Sequence, residues 1–137
     1  MYRKILAATL IIAFCSMLSS SVMAHTYSKT VIVNSAFTVG AGAVKYWEFH
    51  VDSDGANIVG RLRAEGGSGN DINCLILDSD SFENWRNGHR VSTYYNSGKI
   101  TVANINVTLA EGDYILVFDN TFSAVSNKAI TARVEIQ

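Results

Sequence analysis

The chain has 137 residues, with 11 Lys and Arg against 12 Asp and Glu, two cysteines and no proline. A near-neutral sequence without a run or stripe of Lys and Arg excludes nucleic acid and anionic membrane surfaces as expected partners. Without proline, every turn falls to glycine and to Asn or Asp.

The first element belongs to targeting rather than to the fold. Arg3 and Lys4 precede the apolar run Ile5 to Leu18, a Ser-rich stretch follows, and Val22-Met23-Ala24 supplies small or branched residues before a cleavage point. That is the order of a secretory signal peptide over residues 1–24. The run is shorter than the roughly 20 residues that span a bilayer, and Phe14 ahead of Cys15 does not suit a lipoprotein anchor. The expectation is a secreted or periplasmic protein, one domain over residues 25–137, with no stable membrane insertion after cleavage. Loss of Arg3 and Lys4 leaves nine basic against twelve acidic residues, a net charge of about −3. Cys74 alone remains, so no intramolecular disulfide can form. Within Cys74-Leu75-Ile76-Leu77 it reads as a small buried hydrophobe.

Along the rest of the chain β-branched and aromatic residues dominate, and helical periodicity is absent. Thr30 to Val33 reads as a strand, with Ala36 to Val39 as its continuation or a second one. In Val44 to Val51, Trp47, Phe49 and Val51 alternate with Glu48 and His50, the mark of a half-buried strand. Asp52-Ser53-Asp54-Gly55 turns the chain into Ile58 to Ala64, with Ile58, Gly60 and Leu62 on one face and Arg61 and Arg63 on the other. Gly66-Gly67-Ser68-Gly69-Asn70-Asp71 opens like one calcium-binding nonapeptide turn. Such turns act only as stacked repeats, and this one stands alone, with Asn73 where a large apolar residue belongs. It is read instead as a loop into a strand whose Ile72, Cys74 and Ile76 face the core, with Leu75 and Leu77 covered from the other side. Ser81 to Gly88 suggests a short helical turn ended by Gly88, Arg90 to Tyr95 a short strand, and Asn96-Ser97-Gly98 a turn. Alternating apolar residues then mark strands through Ile105 to Leu109, Tyr114 to Phe118 and Ile130 to Ile136. Short strands at 8–12 residue spacing, without helical crossovers, predict an all-β antiparallel jelly-roll-like sandwich of about seven to nine strands.

The end of the chain carries a more specific pattern. Leu109 to Ser123 (LAEGDYILVFDNTFS), then Lys128 and a strand ending Arg133-Val134-Glu135-Ile136, resembles the GOLD domain. Val44 to Phe49 fits the same layout more loosely. The resemblance implies a jelly-roll sandwich that mediates protein–protein contacts. Family members in cargo receptors continue into a coiled coil and a membrane anchor. A sequence running only to Gln137 implies a free-standing, exported, bacterial version. A looser similarity links it to the pre-peptidase C-terminal domains that accompany secreted peptidases.

The candidate sites follow from residue type. Asp119 and Asn120 form the corner of the GOLD-like pattern and can bond neighbouring backbone, so they are expected to be structural. Asp52, Asp54, Asp71, Asp78 and Asp80 would be calcium ligands only if their loops converged, and the expectation is no metal and no cofactor. His25, His50 and His89 sit in no G-x-S-x-G or H-E-x-x-H pattern, so no enzyme activity is expected. Phe82, Trp85, Arg86, His89, Arg90, Tyr94 and Tyr95 concentrate residue types that anchor interfaces. They point to binding of an unknown protein or glycan of the cell envelope or exterior. Protein recognition is the leading expectation. A carbohydrate-binding module, aided or not by calcium, and a peptidase accessory domain are the alternatives. Asn106-Val107-Thr108 has the form of a glycosylation sequon, expected to be unused.

Overall fold

A computed structural model describes residues 29–137. The signal-peptide reading of residues 1–24, with Cys15, and His25 lie outside the described residues. Eight strands and one helix follow in order: β1 (Thr30–Val39), β2 (Val44–Val51), β3 (Ala56–Glu65), β4 (Ile72–Asp78), α1 (Ser79–Arg86), β5 (Tyr95–Ile100), β6 (Val102–Leu109), β7 (Gly112–Asp119) and β8 (Lys128–Ile136). They build two four-stranded sheets, ordered β1-β8-β3-β6 and β2-β7-β4-β5, with antiparallel pairing throughout. Every connection except β4–α1–β5 crosses from one sheet to the other, which is the winding of an eight-stranded jelly roll. The all-β jelly-roll sandwich expected from strand spacing is the fold observed. No helix among the described residues is long and apolar enough to cross a membrane.

Alternation explains the first sheet. In β3, β6 and β8 every second residue points inward, so Ile58, Leu62, Ile105, Leu109, Ile130 and Val134 are buried while their neighbours face out. They meet Val51, Ile72, Cys74, Ile76, Leu116 and Phe118 of the second sheet in the main core. Burial pushes the Cys74 thiol far above its usual range, which keeps it protonated and unreactive.

The second sheet does not alternate. β4 and β7 are apolar on both faces, and a strand of that kind has to be covered twice. Leu75, Leu77, Ile115 and Val117 on the outer side are covered by Phe82, with Val44, Trp85 and Val91 around them. Helix α1 provides that cover. Asp78 caps its start by accepting the Ser81 N–H at 2.7 Å, and Asp80 and Arg86 complement its dipole. At its end Gly88 has φ +81°, its N–H reaches the Trp85 carbonyl at 2.9 Å, and the His89 N–H reaches that of Asn84 at 3.0 Å. This pair of bonds is a Schellman closure, which needs a left-handed residue where glycine stands.

Of the two readings of the first strand, the continuous one is observed: Thr30–Val39 is one strand, with a register shift between Val31 and Val33. The start of the fifth strand differs from expectation. Arg90 to Tyr94 is not a strand, and Asn96-Ser97-Gly98 is not a closing turn but lies inside β5. The physical reason is a bulge in the β4–β5 pairing between Asn73 and Leu75. There the Ser97 hydroxyl accepts the Cys74 N–H at 2.8 Å in place of a ladder carbonyl, and Asn96 Oδ1 accepts the Gly98 N–H at 2.9 Å. Turn residues are thus absorbed into a strand.

Candidate functional site

The aromatic segment does not form one surface. Phe82, Trp85 and Arg86 lie on α1 over the outer face of the second sheet, whereas Tyr95 turns between the sheets and donates its hydroxyl to the Asn104 carbonyl at 3.2 Å. Tyr94, 48% exposed, sets its ring edge-on against Tyr114 at 5.1 Å. His89 and Arg90 are exposed in the connection between the two groups.

Around α1 the side chains converge on Phe82, which is 2% exposed. Trp85 stacks on its ring at 6.1 Å, the Arg86 guanidinium lies 5.5 Å from the ring centre, and Tyr46 of β2 closes the third side at 4.9 Å. Arg86 is also drawn toward Glu83, 3.6 Å away. Beside this group runs an open cleft of about 460 Å³ lined by Val44, Trp85, Arg86, Gly88, Asp119 and Thr121. Aromatic surface, a cation, a carboxylate and a hydroxyl therefore face one hollow. The sequence reading missed Tyr46, Asp119 and Thr121 as its lining or margin. Tyr46 alternates outward in β2 on the same side as Glu48 and His50, where nothing in the strand's own sequence marks an aromatic partner, and Asp119 belongs to the corner.

The corner does bond its own backbone. Asp119 accepts the Thr121 N–H at 2.8 Å. Asn120 is fully buried and donates through Nδ2 to the Gly40 and Ser126 carbonyls, both at 2.9 Å, tying the β1–β2 turn to the β7–β8 loop. Lys128, 2% exposed, donates to Asp71 at 2.8 Å and to the Gly66 carbonyl at 3.1 Å, so both ends of the Gly66–Asn70 loop are fastened. That bond to Lys128 holds the Asp71 carboxyl below its usual range.

The five aspartates considered for calcium are spread apart. Asp54 accepts the Glu111 N–H at 2.8 Å, Asp52 lies 3.7 Å from His50, Asp78 caps α1 and Asp80 sits in its first turn. Pairing of Val51 with Gly112 and of Asn73 with Asp119 sets Asp71 at the opposite end of the sandwich from Asp52 and Asp54. Among the described residues no group of three or more His, Cys, Asp or Glu is placed to hold a metal ion. His50 Nδ1 donates to the Asp113 carboxylate at 2.7 Å, which raises the His50 pKa above the ordinary histidine value. Compared with known proteins, the chain matches no family model and no curated protein.

Proposed function

We propose that the protein is an exported, non-catalytic recognition module, GOLD-like in kind, that takes a partner protein at the cleft beside α1. One observation carries this reading: Trp85 and Arg86 line that cleft and, together with Tyr46, pack around the buried Phe82. Tyr, Trp and Arg are the residues that most often anchor interfaces. Held by packing and by a capped helix, they lose little freedom on binding, and that loss is a main cost of association. The signal-peptide pattern of residues 1–24 supports export, and the sequence LAEGDYILVFDNTFS supports the GOLD-like assignment. Carbohydrate binding at the same cleft is the second reading, favoured by the Trp85 ring lying beside the Asp119 carboxylate and the Thr121 hydroxyl.

The test compares the immobilised protein with its Tyr46→Ala and Arg86→Ala variants on envelope extract and on a glycan array. Proteins retained by the unaltered protein and lost by both variants are the expected result. Equal retention by all three contradicts the cleft as the binding site. Glycan binding lost in the variants, without protein capture, selects the carbohydrate reading.

A further inference from the structure

The outer face of the first sheet carries a line of side chains separate from the α1 cleft, and strand register fixes it. Arg61 of β3 stands opposite Arg133 of β8, Arg133 opposite Asn34 of β1, and Arg61 opposite Asn104 of β6. One line across four strands therefore reads Asn34, Arg133, Arg61, Asn104, about 14 Å long at ordinary strand spacing. Arg63 points the same way two residues further along β3, opposite Thr131. All six side chains are on exposed residues.

Like charges directly opposite on neighbouring strands destabilise a sheet, so Arg61 and Arg133 call for a counter-charge. Arg133 reaches Glu135 at 3.2 Å, but Glu135 is shared with Lys29 at 3.1 Å and Gln137 at 2.8 Å. Arg63 is occupied by Glu65 at 2.8 Å. Arg61 has no ion pair among the described residues. Beside it lies a shallow hollow of about 590 Å³, bordered by Asn34, Ala36, Arg61, Arg63, Thr131 and Arg133. Its rim is cationic and amide-bearing, its lining is mostly apolar, and no aromatic ring borders it.

We propose that this face binds a carboxylate-bearing polysaccharide. Arg61 and Arg133 grip a uronate carboxylate, and the Asn34 and Asn104 amides take ring hydroxyls. Guanidinium forks match carboxylates two bonds at a time. Amides and the Thr131 hydroxyl on the flanks suit hydroxyl-rich rings, and the mostly apolar lining between them suits the C–H faces of those rings. The line also runs across the strands, from edge strand β1 to edge strand β6, at right angles to the course of a peptide that adds to an edge hydrogen-bond ladder.

Titration calorimetry with polygalacturonate, neutral dextran and poly-L-glutamate tests this. Binding to polygalacturonate but not dextran is expected, weakened at least tenfold by Arg61→Gln and by Arg133→Gln. Arg61→Lys should weaken it nearly as much, because lysine keeps the charge and loses the fork. Lys99→Gln, which removes the same charge from the second sheet, should leave it unchanged. Circular dichroism checks that each variant is folded. Absence of polygalacturonate binding, equal binding of polyglutamate, or full binding by Arg61→Lys each overturns the proposal.

Discussion

The two sheets share a core yet have opposite outer faces. On the second sheet Leu75, Leu77, Ile115 and Val117 are buried beneath Phe82 and Trp85. On the first, Arg61, Arg63, Asn34, Asn104 and Thr131 stand exposed. The difference was written into the strands. A continuous apolar run such as Cys74-Leu75-Ile76-Leu77 demands a cover on each side, and alternation such as Ile130-Thr131-Ala132-Arg133-Val134 demands only one. The chain supplies the extra cover immediately after β4, in the helix that Asp78 starts and Gly88 stops.

The largest effect expected from breaking this contrast is at Phe82. Phe82→Ala removes the centre of the cover and should cost about 3–4 kcal/mol in urea unfolding, as buried Phe truncations do. A loss below about 1 kcal/mol would mean the outer face of the second sheet is not a core. Gly88→Ala acts on the same face through the backbone alone. Nothing lies within 4 Å of an added methyl group, so the positive φ is the whole penalty, about 1 kcal/mol by the same measurement. On the open face the sign reverses. Arg61→Gln should leave stability within about 0.5 kcal/mol and on the favourable side, since it relieves a like-charge pair and empties no core.

The smallest effect concerns pH. Contacts from Gln137, Lys29 and Arg133 hold Glu135 on the open face down to about 2, from 4.5. A depressed carboxylate contributes stability that is present above the unfolded value and lost as pH falls through the folded one. Thermal midpoints should therefore drop between about pH 4.5 and 2, and Glu135→Gln should flatten that part of the profile. Identical profiles for the two proteins would show that the Glu135 contacts do not persist in solution.

How far the sequence was readable follows the same contrast. Periodicity is local, so the inward set Ile72, Cys74 and Ile76 and the doubly covered Leu75 and Leu77 could be read from one short stretch. The helical turn could be read too, because Gly88 and the residues it ends lie side by side. Pairing between distant strands is not local. Arg61 and Arg133 become neighbours only through β3–β8 register, so a chain without any linear Lys/Arg cluster still assembles an arginine patch. Segment 82–95 failed as a single surface for a related reason. A tight helix end and the Asn73/Leu75 bulge send Tyr95 between the sheets while Trp85 stays outside. Tyr46 was overlooked because its partner, Phe82, lies 36 residues away in sequence and meets it only across the sheet.

The contrast between the faces is tested most directly by mapping amide chemical shifts of the 15N-labelled protein during titration with polygalacturonate. The expected perturbations centre on Asn34, Arg61, Asn104 and Arg133, with Tyr46, Trp85 and Thr121 unmoved. Perturbations centred on Tyr46, Trp85 and Thr121 instead would contradict the separate roles assigned to the two faces.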